Sequence, residues 1–182
     1  SFFAIGENYY VLHRDAMLVK RFDKDGLFVN EFDIKGVEEA FGVAGAILAY
    51  GNDIGVVDLQ KASLAIYSPN GTYKRTIQFS GNEQLPKVNI NISVPHTHFV
   101  NSKYLILPVY SETSVASRDY FHEGNLIGLF DKNGKLLFSF GDFPSFYKGD
   151  DVYYGQRLCY FHVDELAKEI YVSFEATSVI QV

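Results

Sequence analysis

Three short turns of the same kind recur along the chain, and they constrain the fold more than any other feature. Each runs aromatic residue, polar pair, Asp or Asn, then Gly, as in Phe22-Asp23-Lys24-Asp25-Gly26, Tyr67-Ser68-Pro69-Asn70-Gly71 and Phe130-Asp131-Lys132-Asn133-Gly134. A type I turn followed by a left-handed residue closes a tight hairpin with a bulge, and Gly takes that position at no steric cost. The sequence therefore predicts three β-hairpins with positive φ at Gly26, Gly71 and Gly134.

The spacing of these turns predicts the architecture. Gly26 and Gly71 lie 45 residues apart, and Gly134 follows 63 residues later. Apolar runs of strand length lie on both sides of each turn, and a period near 45 residues made of four short strands is typical of propeller blades. We therefore predict an all-β fold, a β-propeller of four-stranded antiparallel blades. Residues 1–182 would form one domain, with three blades at 1–32, 45–79 and 98–140 and most of a fourth at 158–182.

Composition supports this fold and argues against some partners. The chain has 182 residues, of which 16 are Phe and 13 are Tyr, and these aromatic residues suit β-strands. Its net charge of −6 and the absence of a basic run argue against nucleic acid as a partner. No apolar run is long enough to span a bilayer, so we predict no transmembrane segment. Cys159 is the only cysteine, which excludes an internal disulfide and is typical of a small buried hydrophobe.

With this blade pattern the sequence resembles six-bladed β-propellers of the NHL and TolB-like type. The segments Tyr104-Leu105-Ile106-Leu107-Pro108 and Gly128-Leu129-Phe130-Asp131-Lys132-Asn133-Gly134-Lys135-Leu136 look closest to secreted, largely uncharacterised propellers of Bacteroidetes. The resemblance covers the whole chain and rests on structural motifs. It implies a six-bladed ring whose remaining blades lie outside these residues, and export to the periplasm or as an outer-membrane lipoprotein. A four-bladed ring and an open repeat segment of a larger enzyme or receptor are the alternatives.

Blade topology predicts which loops share a face. Strands alternate in direction within a blade, so the three Gly turns fall on one face of the disc. The long segments 80–97, 111–124 and 141–157 fall on the other. Loops on a rigid scaffold commonly carry function, and loops of this length are a further indication. We therefore predict a functional face there; the alternative is that insertions accumulate where they are harmless.

The long segments combine aromatic and charged side chains. A Tyr ring offers a stacking surface and a hydroxyl, which suits sugars and peptides. We therefore predict a set of ligand-binding residues in these segments: Arg118, Tyr120, Tyr147, Tyr153 and Arg157. The alternative is that the rings only pack the loops onto the propeller.

Two histidines form the one metal-like pattern. At strand period two, His96 and His98 point to the same side, which is a usable geometry for Zn²⁺ or another divalent ion. His122 lies in a segment of the same predicted face and is the candidate third ligand, with Glu123 beside it. The alternative is that two histidines at this spacing arise by chance.

Two functions follow from these patterns. The first is a non-catalytic binding propeller without a cofactor, which recognises a glycan, peptide or protein partner on its long-loop face. The second is a metal-dependent hydrolase or lyase, in which an ion at the channel mouth activates water or polarises a carbonyl. The sequence contains no nucleophile elbow, phosphate loop or zinc-ribbon spacing, so no catalytic residue is predicted.

Overall fold

The chain folds into four antiparallel β-sheets. The structure, a computed structural model, describes residues 2–34, 42–83, 85, 87–90, 99–101, 103–110, 122, 126–148, 159–174 and 180–181. Sheet 1 contains β1 (Phe2–Ile5), β2 (Asn8–His13), β3 (Leu18–Phe22) and β4 (Phe28–Asp33), and sheet 2 contains β5 (Ala44–Tyr50), β6 (Asp53–Asp58), β7 (Ser63–Tyr67) and β8 (Tyr73–Gln78).

The second half of the chain repeats this arrangement less regularly. Sheet 3 contains β10 (Phe99–Val100), β11 (Tyr104–Tyr110), β12 (Ile127–Asp131) and β13 (Leu136–Phe140), and the short β9 (Asn89–Ile90) pairs with the far end of β11. Sheet 4 contains β14 (Cys159–Asp164), β15 (Glu169–Phe174) and β16 (Ile180–Gln181). A one-turn 3-10 helix, Ser145–Lys148, lies between sheets 3 and 4 in the chain. The pairs between these strands are antiparallel, which confirms the predicted all-β fold of antiparallel sheets.

The three predicted hairpin turns are confirmed. The φ angles are 79° at Gly26, 86° at Gly71 and 84° at Gly134. Each Gly amide donates a hydrogen bond of 2.9–3.0 Å to the carbonyl three residues earlier, at Asp23, Ser68 and Asp131 respectively. The strand register shifts one residue before each turn, as expected for a bulged hairpin.

Sheets 1 and 2 are copies of one another at a constant offset. Residue n of sheet 1 corresponds to residue n + 45 of sheet 2 from β2, which aligns with β6, through to the Gly26 and Gly71 turns. The left-handed glycines Gly6 (φ 56°) and Gly51 (φ 62°) obey the same offset. The offset predicted from the turns therefore extends over whole strands.

Sheet 2 lies between two neighbours and is buried on both faces. Its Ile54, Val56 and Tyr67 pack with residues of sheet 1, whereas Val57 and Leu64 pack with residues of sheet 3. A third apolar cluster fills the space between sheets 3 and 4 and includes Ile127, Phe161 and Phe174. Sheets stacked face to face in chain order in this way have the arrangement of propeller blades.

A buried carboxylate fastens the entry into sheet 2. Asp58, at the end of β6, is 1% exposed. Its side chain accepts hydrogen bonds from the amides of Gly42 (2.6 Å), Val43 (3.2 Å), Gln60 (2.9 Å) and Lys61 (3.1 Å). The carboxylate therefore ties the chain before β5 to the hairpin between β6 and β7.

Candidate functional site

A pocket of about 450 Å³ opens between the end of sheet 3 and the β14–β15 hairpin of sheet 4. One wall is the end of β13 and the segment around Gly141, and the other is the β14–β15 hairpin. Together they line the pocket with the apolar residues Phe140, Ile170 and Val172 and the charged residues Asp142, Lys168 and Glu169. Pockets of about 300–1,000 Å³ that combine an apolar wall with a few converging polar groups are the usual form of a ligand site. This pocket is the candidate functional site.

Local backbone geometry places the two walls. Gly141 directly follows β13 and has a φ of 86°, which turns the chain sharply and sets Asp142 at the pocket. The Gly141 carbonyl oxygen accepts a hydrogen bond of 3.2 Å from the Leu126 amide. On the other side, Lys168 closes the β14–β15 hairpin with a φ of 59°, and Asp164 caps this hairpin by accepting hydrogen bonds from the amides of Leu166 and Ala167.

The segment after Gly141 is held by an aromatic cluster. Phe143 and Tyr147 are buried, with ring centroids 5.1 Å apart. Both rings contact Phe174 of β15, at centroid distances of 5.7 Å and 5.9 Å. Because this cluster bridges the 141–148 segment and sheet 4, it fixes one pocket wall relative to the other.

The charged groups of the pocket are one cation and two anions. Lys168 and Glu169 come from the β14–β15 hairpin, and Asp142 comes from the segment that follows β13. Glu169 also accepts a hydrogen bond from the Tyr171 hydroxyl, two residues along β15. That hydrogen bond, together with the negative charge of Glu169, raises the pKa of Tyr171, so Tyr171 stays protonated and continues to donate. The site can therefore receive both an anionic and a cationic group of a ligand.

The structure describes two of the residues predicted for the site. Tyr147 is 2% exposed and belongs to the aromatic cluster, so its ring serves packing, as the alternative interpretation has it. His122 is exposed. The remaining predicted residues lie outside the described part of the chain: His96, His98, Arg118, Tyr120, Tyr153 and Arg157.

The predicted metal site and the predicted common face of the long segments also depend largely on residues outside the described part of the chain. Among the described residues, no group of three or more His, Cys, Asp or Glu side chains is placed to hold a metal ion. Most of the segments 80–97, 111–124 and 141–157 lies outside the described residues, and their common face stays a prediction. Over the described ranges, no helix combines the length and apolar character needed to cross a membrane.

No sequence motif marks the charged residues of the pocket. Asp142 falls in a segment predicted to be functional, but Lys168 and Glu169 belong to a hairpin that carries no ligand motif. A pocket made where two sheets meet depends on how sheet 4 packs against sheet 3, and strand periodicity does not specify this packing. The left-handed conformation of Lys168 does not mark the site either, because Met17 and Ala62 adopt it in the β2–β3 and β6–β7 hairpins.

Comparison with known proteins supports the fold. No protein-family model and no curated protein matches the chain. The glutaminyl cyclase of Myxococcus xanthus is similar in structure, with a TM-score of 0.58 and 11% identity over 96% of this chain and 67% of the cyclase. A Bacteroides caccae protein of unknown function matches with a TM-score of 0.48 and 14% identity, over 74% of this chain and 46% of its own.

A Bacteroides fragilis protein described as a candidate exported protein matches with a TM-score of 0.49 and 11% identity, over 79% of this chain and 37% of its own. The chain thus spans about two thirds of the cyclase and less than half of each Bacteroides protein. At 11% identity, the likeness to the cyclase extends to the fold alone. The stacked antiparallel sheets and this likeness define the chain as a protein with a β-propeller fold.

Proposed function

We propose that the chain is the ligand-binding part of a propeller and recognises a peptide in the pocket between sheets 3 and 4. The observation that carries this proposal is that one pocket is lined by Lys168, Asp142 and Glu169 together with apolar side chains. A peptide offers the matching groups, because its carboxylates suit an ammonium and its amines suit carboxylates. The predicted residues Arg118, Tyr120, Tyr153 and Arg157 extend this proposed surface with further stacking and charged groups.

A titration with two sets of probes tests the proposal. One set contains short peptides with free termini and varied charge, and the other contains neutral oligosaccharides. We expect a peptide to bind the wild-type chain and binding to weaken at least tenfold in Lys168→Met. The control Lys132→Met removes an exposed ammonium from a Gly turn of sheet 3 and should leave binding unchanged. Binding of oligosaccharides alone, with no effect of Lys168→Met, would show that the ligand is a glycan and not a peptide. Binding of neither set would refute the proposal that this pocket is a ligand site.

The same protein sample tests catalytic alternatives. Two activities are assayed with the wild-type chain and with His96→Ala. One is glutaminyl cyclase activity, which the Myxococcus xanthus protein has by name, and the other is Zn²⁺-dependent hydrolase activity. We expect neither activity. Turnover that is lost on chelation and in His96→Ala would favour the metal-dependent function of His96, His98 and His122 over the binding function.

We also propose that residues 1–182 belong to one larger propeller domain of the six-bladed NHL and TolB-like type, of which they supply three blades and most of a fourth, and that the protein is exported. The constant 45-residue offset of sheets 1 and 2 supports a blade repeat, and the sequence resemblance supports the blade number and the export. A structure of the full-length gene product counts the blades. Cell fractionation of the same product decides whether it is exported.

A further inference from the structure

Two opposite charges line the pocket between sheets 3 and 4 without neutralising each other. Lys168 and Asp142 both border the pocket, yet neither side chain forms a hydrogen bond or an ion pair with any described residue. The third charged residue, Glu169, accepts a hydrogen bond from the Tyr171 hydroxyl. Within the described part of the chain, the unpaired charges of the pocket are therefore one ammonium and one carboxylate.

The place of Asp142 in its sheet is apolar in the two regular sheets. Counted from the turn glycine, Asp142 is the eighth residue, and the eighth residue is Ile34 in sheet 1 and Phe79 in sheet 2. Ile34 and Phe79 are 0% and 5% exposed, whereas Asp142 is exposed at the pocket. This position of a blade accepts an apolar side chain, so the packing of the sheets does not account for a carboxylate there.

Apolar side chains accompany the two unpaired charges. Phe140, Ile170 and Val172 line the same pocket, whose volume is about 450 Å³. A pocket of this size encloses a ligand as large as a small molecule, which in a peptide corresponds to about one or two residues. The pocket therefore suits the end of a peptide, with a positive group, a negative group and an apolar part close together.

One kind of terminal residue supplies these three features at once. A C-terminal Arg or Lys has a carboxylate for Lys168, an aliphatic stem for the apolar side chains and a cationic head for Asp142. An N-terminal Asp or Glu also carries both charges, but its stem is too short to cover three apolar side chains. Arg has an advantage over Lys, because its planar guanidinium can donate two parallel hydrogen bonds to one carboxylate.

From these observations we infer that the pocket recognises the free C-terminal end of a peptide whose last residue is basic, with Arg preferred over Lys; this inference rests on the proposed peptide-binding function. The terminal carboxylate pairs with the Lys168 ammonium, and the side-chain cation pairs with the Asp142 carboxylate. A basic residue inside a chain lacks the free carboxylate, because that group forms a peptide bond. The pocket therefore distinguishes a basic C-terminus from a basic residue elsewhere in a peptide.

Three related peptides and two variants of the protein test the inference. The first peptide ends in Arg with a free carboxylate, the second is its C-terminal amide, and the third ends in norleucine, which keeps an aliphatic stem without a charge. We expect amidation to weaken binding to the wild-type chain about tenfold and to cause no further loss in Lys168→Met. Norleucine should weaken binding to the wild-type chain by about the same factor and cause no further loss in Asp142→Asn.

Two matched controls remove the same charges away from the pocket. Lys132→Met and Asp25→Asn each change an exposed residue of a Gly turn, and the other two turns carry Asn70 and Asn133 at the place of Asp25. In both controls, amidation and norleucine should weaken binding as much as in the wild-type chain. The pocket variants should fold, because Asp142 is exposed and Met17 shows that Met is accepted at a left-handed hairpin position like that of Lys168.

The outcomes separate a failure of this inference from a failure of the proposed function. If peptides bind but amidation of the terminal Arg has no effect, the inference is wrong and the peptide-binding function stands. Equal losses in the wild-type chain and in both pocket variants would also overturn the inference, since the two charges would then be recognised elsewhere. Stronger binding of a peptide with an N-terminal Glu would assign the pocket to the opposite end of a peptide, and binding of no peptide would refute the proposed function as well.

Discussion

Ser80 and Gly134 are joined by a hydrogen bond of 2.9 Å from the Ser80 amide to the Gly134 carbonyl oxygen. The Ser80 carbonyl accepts a second hydrogen bond, also of 2.9 Å, from the amide of Leu136. Ser80 follows the last strand of sheet 2 and Gly134 closes a hairpin of sheet 3, so the bonds form a short parallel bridge between neighbouring sheets. Gly134 therefore serves both the turn and the contact between sheets.

This double role predicts unequal effects for the same substitution at two glycines. Gly26→Ala should cost about 1 kcal/mol, because only the left-handed backbone is strained. Gly134→Ala should cost about 3 kcal/mol, because its Cβ also overlaps the Gln78 carbonyl oxygen, a backbone atom that cannot rotate away. Urea unfolding of both variants measures the difference. Equal costs would show that the sheets separate easily at this turn.

Removing the Asp58 carboxylate should be among the most damaging polar substitutions. Asp58→Ala leaves four backbone amides without their acceptor in a buried place, and we expect a loss of about 3 kcal/mol or more. Asp164→Ala is the control, because Asp164 accepts from two amides of an exposed hairpin and should cost about 1 kcal/mol. Thermal unfolding compares them, and a small loss for Asp58→Ala would mean that water replaces the carboxylate.

The regular half of the fold could be predicted because its signals are local. The Gly turns specify their hairpins through backbone sterics alone, and the apolar runs beside them have strand length. Asp58 shows the limit of this reasoning. Its position at the end of a strand looks like an ordinary polar boundary. Its four amide partners include Gly42 and Val43, which are 16 and 15 residues away in sequence, so no local pattern points to them.

Stability at high pH should depend on Tyr67. Burial raises the pKa of Tyr67 to about 12, and the nearby Tyr73 and Asp33 act in the same direction. The folded state therefore favours the protonated hydroxyl, and the stability from this difference is present below the unfolded pKa of about 10 and is lost as the pH rises towards 12. Tyr67→Phe should unfold less steeply with pH over this range than wild type.

The control for this pH series is Ile66→Val, which alters buried packing next to Tyr67, removes no ionisable group and should leave the slope unchanged. The Tyr67 hydroxyl has no hydrogen-bond partner among the described residues. Tyr67→Phe should therefore also be neutral or stabilising by about 1 kcal/mol at pH 7, since it removes a buried polar group. A clear destabilisation at pH 7 would reveal a partner for the hydroxyl.

Replacing Lys168 by Gly should stabilise the fold while it impairs the pocket. Lys168 has a φ of 59°, where a side chain is strained, and Gly relieves that strain for a net gain of about 0.5–1 kcal/mol. Lys148→Gly is the control. Lys148 is exposed and does not have a left-handed backbone conformation, so this variant should be less stable than wild type. Urea midpoints test the pair.

The candidate site was harder to predict than the fold because it forms where sheets meet. Lys168 and Glu169 contribute to the pocket only when sheet 4 packs beside Gly141, and this packing depends on Phe143, Tyr147 and Phe174 together. The prediction for Tyr147 rested on its residue type. Tyr147 is close in sequence to Asp142, which lines the pocket. Its ring is buried in the aromatic cluster, however, and so is not available at the surface.

The single cysteine gives the protein a practical property. Cys159 is half-buried, and burial raises the pKa of its thiol to about 11. The thiol is therefore mostly protonated at pH 8, whereas thiol reagents attack the ionised form. Leu166 is 97% exposed on the hairpin that ends at Lys168. A fluorophore attached through Leu166→Cys would therefore label one position beside the pocket without prior removal of the native cysteine, and its emission would report occupancy of the pocket directly.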